Sequence, residues 1–221
     1  MTPEGKYSFM KETVVRRSGN LYTMDLQLKK GNQPMFAAEK DGQSSYIFRS
    51  IISNTVPNEH PVMGTLTVEK SKRGKAPNNH RTLDFAVVHH DRSRAPYRTG
   101  TIQYEEKSLY AALKQTRKQQ PQYIVYDCLD KGTFESKDAH QTDSGGYALD
   151  FRGRGRESSR KNVQLQKEDG TIILQMVRWG KDEFHLDYQD PIDGFHAFAF
   201  ALAQFERFSS RRKTKGETNH Y

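Results

Sequence analysis

Most of the chain alternates between apolar and polar positions over short stretches broken by turn residues. Positions 21–28 place Leu26 and Leu28 on one face, Lys29-Lys30-Gly31-Asn32 reads as a turn, and 34–40 reads as the returning strand. Asp41-Gly42 is a hairpin signal ahead of 45–52, and 62–68 follows as a further strand. The same pattern returns at 83–88, 99–104, 123–128, 146–151, 162–166, 171–177 and 183–188. Positions 108–118 read as helix or strand, since Leu109, Ala112 and Leu113 fit helical spacing. The basic stretch 70–81, with Gly74, Pro77 and Asn78-Asn79, reads as a loop. Roughly eleven short strands at regular spacing predict an all-β barrel or sandwich. No internal repeat is visible, and 1–20 and 209–221 read as weakly ordered tails.

One segment departs from this pattern. Asp190-Pro191 places a capping residue before proline at a first helical position. Between Ile192 and Phe208 the apolar residues are so dense that from Phe195 to Phe205 they cover nearly the whole helical circumference. A helix apolar all round must be buried. It is too short to span a bilayer, and Asp193, His196, Gln204 and Glu206 argue against lipid. The partner left to it is the sheet, so the strands are expected to wrap the helix as a closed barrel, which also removes most exposed edges.

Composition narrows the classes. Of 221 residues 34% are hydrophobic, 28% charged and 11% aromatic, an aromatic share that argues against a disordered chain. No apolar run approaches the ~20 residues of a membrane-spanning helix, and the first ten residues hold no apolar core of a secretory signal. The single cysteine, Cys128, supplies neither an internal disulfide nor a cysteine zinc site. The expectation is a soluble intracellular protein. Lys and Arg total 35 against 27 Asp and Glu, a net charge of +8. That excess suits an anionic partner, and it equally suits a protein kept soluble by its charge.

The last third carries a resemblance. Tyr147-Ala148-Leu149-Asp150-Phe151-Arg152-Gly153-Arg154, with Ser158-Ser159-Arg160-Lys161-Asn162-Val163-Gln164-Leu165, is similar to a motif of the tubby family. Gln175-Met176-Val177-Arg178-Trp179-Gly180-Lys181-Asp182 and Phe184-His185-Leu186-Asp187-Tyr188-Gln189-Asp190-Pro191 resemble its next two motifs, and 195–205 resembles its terminal helix. These segments are colinear, and weaker similarity reaches back to about Leu21. The resemblance implies a closed antiparallel barrel of about twelve strands around a buried apolar C-terminal helix, filling 21–208 between an N-terminal tail, 1–20, and a basic tail, 209–221.

It also implies phosphoinositide binding at a membrane surface. The family's headgroup site uses an Asn before a Tyr and a Lys-x-Arg pair about twenty residues on. Here Ser45 precedes Tyr46, and Thr65 and Thr67 stand where the basic pair would fall. A shifted alignment, into 55–59, also finds no basic pair. Arg49, Lys70, Lys72 and Arg73, with Lys75, could supply the charge that a phosphate needs. The candidate ligand-binding set is therefore Ser45, Arg49, Thr65, Thr67, Lys70, Lys72 and Arg73, with a plain solvated loop as the alternative for the last three.

Other chemistry is thin. Arg152-Gly153-Arg154-Gly155-Arg156 resembles a short RNA-binding tract but reads better as a strand end and turn. Arg207, Arg211, Arg212, Lys213 and Lys215 form a basic stretch that reads as a solubilising tail, with nuclear localisation or lipid contact as alternatives. His89 and His90, adjacent on a strand, point to opposite faces and do not suit one metal ion. Cys128 reads as a buried inert thiol, and His185 and Asp187 as packing or hydrogen-bonding partners on one strand face. The expectation is a non-enzymatic adaptor without cofactor or metal, monomeric, binding an anionic phospholipid or phosphoinositide headgroup and carrying a protein cargo. Nucleic acid is disfavoured, and the expected location is the cytoplasm, peripheral at the plasma membrane, with nucleus and cilium as further sites. The alternative is a protein-interaction or nucleic-acid-binding module that lost the lipid site.

Overall fold

Neighbours in sequence become neighbours in the sheet. A computed structural model describes residues 10–41, 45–51, 60–69, 82–90, 95–105, 123–143 and 147–209. The strands are β1 (Lys11–Ser18), β2 (Leu21–Leu28), β3 (Gly31–Asp41), β4 (Ser45–Ser50), β5 (Val62–Glu69), β6 (Thr82–His89), β7 (Tyr97–Glu105), β8 (Tyr123–Cys128) and β9 (Gly132–Ser136). After a two-residue pair, β10 (His140–Gln141) with β11 (Tyr147–Ala148), come β12 (Val163–Gln166), β13 (Ile172–Gly180) and β14 (Glu183–Tyr188). Twelve of them close an antiparallel barrel in the order β1-β14-β13-β12-β9-β8-β7-β6-β5-β4-β3-β2. Helix α1 (Gly194–Ser209) follows.

The helix fills the barrel as the sequence predicts. Ala197, Ala199, Ala201 and Ala203 are fully buried, and Phe195, Phe198, Phe200 and Phe205 carry the contacts to the wall. Phe195 and Phe198 meet Phe48, Phe200 stacks on Tyr126, and Phe205 packs on Tyr22 and Phe184. Strand alternation supplies the other side: Tyr46 and Phe48 of β4 face in, as do Met24, Leu66, Phe85, Ile102 and Ile124 of other strands. Gly64 is required where β5 passes the helix. A Cβ there would lie 2.3 Å from the Val88 carbonyl and 2.7 Å from the Phe195 ring.

Three expectations change. First, the presumed tail 1–20 contains β1, which pairs with both β2 and β14 and closes the barrel. Its sequence, KETVVRRS, has only Val14 and Val15 as apolar residues, so alternation does not announce it; both are nonetheless buried. Second, β9 was not foreseen, because Phe134 is its one apolar anchor. The stretch 146–151, expected as a strand, forms only the short β11 outside the barrel. Third, the helix begins three residues later than the Asp190-Pro191 signal suggests. Its cap is Asp193, whose Oδ1 accepts the His196 backbone N–H at 2.9 Å, while the Asp190-Pro191 bond is cis and precedes the helix. The stretches 108–118, expected as helix or strand, and 70–81, expected as a loop, lie outside the described residues.

The helix has a direction relative to the wall. At its start Asp193 meets Lys131 of the β8–β9 turn at 3.1 Å. At its end Glu206 accepts from Lys40 Nζ and, at 2.8 Å, from Tyr46 Oη. Lys40 N–H also donates to the Asn20 carbonyl, which sets the β1–β2 turn at this exit end. No helix among the described residues is long and apolar enough to cross a membrane.

Candidate functional site on the outer face of β4 and β5

Inward Tyr46 and Phe48 oblige Ser45, Ile47 and Arg49 to face outward from β4. Buried Leu66 does the same for Thr65 and Thr67 of β5. The antiparallel register sets Ser45 opposite Thr67 and Ile47 opposite Thr65. Residues some twenty positions apart in sequence thus share one outer patch with three hydroxyls. The Ser45 hydroxyl donates to the Asp41 carbonyl at 2.9 Å. Thr67 is exposed and Thr65 half-buried.

The charges are distributed differently from the hydroxyls. Arg49 shares the face but lies toward the far end of β4, opposite Val62, and its Nη1 donates to the His60 carbonyl at 3.1 Å. Arg49 lies four residue steps from Ser45, roughly 13 Å along the strand. Lys70 follows Glu69 at the other end of β5, so Arg49 and the root of the 70–81 segment stand at opposite ends of this face. Lys70, Lys72 and Arg73 themselves lie outside the described residues. On the other side of β4, Glu39 of β3 pairs with Ile47 and Asp41 with Ser45. Hydroxyls can donate to phosphate oxygens, but they bring no charge to oppose these carboxylates.

A second polar assembly was only partly visible in the sequence. Residues 150–162 cross the outer face of β12, β13 and β14 as an irregular strap. Arg154 forks onto Asp187, Nε to Oδ2 at 2.9 Å and Nη2 to Oδ1 at 2.6 Å, and reaches Gln27 at 2.7 Å and Glu12 at 3.4 Å. Gln175 donates to Asp187 at 2.8 Å, and Gln164 donates to Gln175 and to the Asp150 carbonyl. Burial works against the Arg154 charge, yet the hydrogen bonds and charge of Asp187 leave its pKa raised. His185 Nδ1 donates to the Arg154 carbonyl at 2.7 Å. Burial, then the Arg154 charge, lowers the imidazole pKa below its ordinary 6.5. Asp187 and His185 share one strand face, as their spacing suggests, and each hydrogen-bonds to Arg154, the carboxylate to its guanidinium and the imidazole to its carbonyl. Arg152-Gly153-Arg154-Gly155-Arg156 is the middle of the strap rather than a strand end. Gly155 allows it to lie flat: a Cβ there would meet Val177 Cγ2 at 2.3 Å.

Other groups have structural settings. Cys128 is buried, and desolvation pushes its thiol up to about 12. His89 packs on Tyr97 and Phe195, and Asp91 lies outside the described residues. Burial would raise the Asp193 carboxyl, but His196 and Lys131 outweigh it and hold the group below the usual carboxylate range.

A closed twelve-strand barrel threaded by the helix that ends the fold defines a narrow class of protein. A model described as the Tub family matches residues 80–207, more than half of the chain. The chain belongs to this family. Over 66 residues it is 44% identical to Tubby-related protein 1 of Homo sapiens, which covers 29% of this chain and 12% of that protein. It is 39% identical over 69 residues to Tubby-like F-box protein 6 of Oryza sativa subsp. japonica, and 41% over 69 residues to Tubby-like F-box protein 3 of Arabidopsis thaliana. Each of these two matches covers 27% of this chain and 17% of the relative. The chain thus aligns with less than a fifth of the length of these curated relatives.

Proposed function

We propose that this chain is a non-enzymatic membrane-surface adaptor that binds anionic phospholipid, phosphoinositides among them. The observation that carries this reading is the register placing Ser45, Thr65 and Thr67 together on one outer face of a Tub-family barrel. The Thr65 and Thr67 hydroxyls can donate to headgroup phosphate oxygens, the Ser45 oxygen can accept from a headgroup hydroxyl, and the 70–81 stretch, with Lys70, Lys72 and Arg73, follows β5 in sequence after Thr67. The net charge of +8 favours attraction to an anionic bilayer. A peripheral place at the cytoplasmic face of the plasma membrane, and a protein cargo, belong to the same proposal. Glu39 and Asp41 beside the hydroxyl patch support the other reading, a protein-interaction module on this fold.

Co-sedimentation separates the two. At ~0.15 M salt, where exposed charges are well screened, the chain should pellet with vesicles containing phosphatidylinositol 4,5-bisphosphate and not with phosphatidylcholine alone. Equal binding to both ends the lipid reading. Lys72→Ala combined with Arg73→Ala should weaken binding; unchanged affinity would place the contact elsewhere on the barrel.

A further inference from the structure

The exit end of the barrel has a corner that the β4–β5 face does not include. β13 and β14 turn at Lys181-Asp182, and Arg17 N–H donates to the Asp182 carbonyl at 2.9 Å, which seats this turn against the β1–β2 turn. Three cations stand here: Arg17, Arg156 and Lys181. Arg17 Nε donates to the Gly19 carbonyl at 3.3 Å, and the Arg156 guanidinium lies 3.8 Å over the Trp179 ring. Among the described residues none of the three is ion-paired to a carboxylate. Their neighbours differ: Arg16 holds Asp25 and Glu183, and Arg178 holds Glu157. The acidic residues nearby in sequence and register are Asp182 in the turn, Glu39 opposite Leu21, and Glu183 and Glu157, which Arg16 and Arg178 already hold.

The apolar part of the corner is equally specific. Leu21, the first residue of β2, is 46% exposed. Trp179 has Arg156 over its ring and His185 stacked at 4.4 Å. With those partners in place the indole offers its edge rather than an open face, so it is no platform for stacking a base. An indole edge and a leucine beside cations that form no ion pair match the headgroup–acyl boundary of a bilayer, where tryptophan and basic side chains concentrate. Helix α1 ends at the same pole, and Arg211, Arg212, Lys213 and Lys215 follow Ser209 in sequence.

Resting on the lipid reading above, we infer that this corner is a second contact with an anionic phospholipid bilayer. Arg17, Arg156 and Lys181 meet headgroup phosphates while Leu21 and the Trp179 edge enter the interface. Ser45 and Thr67 lie toward the same pole, since they border the β3–β4 connection next to Lys40. A bilayer laid across the exit end therefore meets both contacts together, and the barrel stands end-on to the membrane. Arg49, toward the other end of β4, stays away from it.

Trp179 is the single tryptophan, so the full chain reports on its own corner. It is titrated with phosphatidylcholine–phosphatidylserine vesicles whose phosphatidylcholine carries brominated acyl chains. Emission should be quenched and blue-shifted in step with co-sedimentation. A chain that pellets with unchanged emission overturns the inference and leaves the lipid reading standing; a chain that does not pellet with anionic vesicles of either kind ends both. Arg17→Gln with Lys181→Gln should weaken binding about twenty-five-fold, at about fivefold for each charge near the surface. Lys29→Gln with Lys30→Gln, in the β2–β3 turn at the opposite end, should leave it unchanged. Equal losses from the two pairs would mean that only net charge matters, and the corner would lose its role.

Discussion

At the scale of single residues, the decisive polar group is Asp187. It is almost fully buried on the outer face and is held by an arginine fork and a glutamine. Removing one partner of such a pair leaves a desolvated charge. Arg154→Ala should therefore lower unfolding stability by about 3 kcal/mol in urea, with a smaller loss for Gln175→Ala. His185 gives a pH signature. Its folded pKa lies below 6.5, so the unfolded chain takes the proton first as pH falls. Stability should be flat above about pH 6.5, fall from there through the lowered folded value, and level off below it. Denaturant midpoints across this window test the sign, and His185→Asn should flatten the step. The spacing of His185 and Asp187 was legible in the sequence. Their partner was not, because Arg154 lies 33 positions away from Asp187 and within an arginine-glycine run that resembles other things.

Elements were legible in proportion to how much of their own surface they bury. Helix α1 could be read because its apolar residues leave no polar face, and a helix of that kind has one destination. Phe198→Ala should cost about 3–5 kcal/mol, measured by thermal or urea unfolding. Phe198→Asp should abolish cooperative folding, and a soluble, two-state Phe198→Asp protein would show that the helix is not the core. β1 was illegible for the opposite reason. Two valines between charged residues carry no clear period, and its stability comes from the ladders that β2 and β14 provide. The helix start was misplaced because Asp190 and Asp193 both precede a plausible first turn, and only the bond from the His196 N–H distinguishes them. The grouping of Ser45, Thr65 and Thr67 came through the family resemblance; the register then fixed them as neighbours, and strand direction moved Arg49 away from the 70–81 root.

For the whole molecule, closure is the governing fact. β1 seals β2 to β14, and Arg154 spans the same seam through Glu12, Gln27 and Asp187. A chain begun at Leu21 would expose two strand edges and uncover the inner wall. It should be recovered as aggregate or as an oligomer by size-exclusion chromatography, whereas a monomeric, cooperatively folding truncation would show that β1 is dispensable.

The position of the helix has a consequence for the birth of the protein. Every inward-facing aromatic on the wall is synthesised before the segment that covers it, and the first strand waits for the fourteenth. At 5–20 residues per second the ribosome needs on the order of 10–40 s to pass from Lys11 to Ser209. Through that interval the nascent chain has no complete interior to collapse around. Folding of the barrel is held back until helix α1 has been made, and until then the growing polypeptide is a natural client for holdase chaperones.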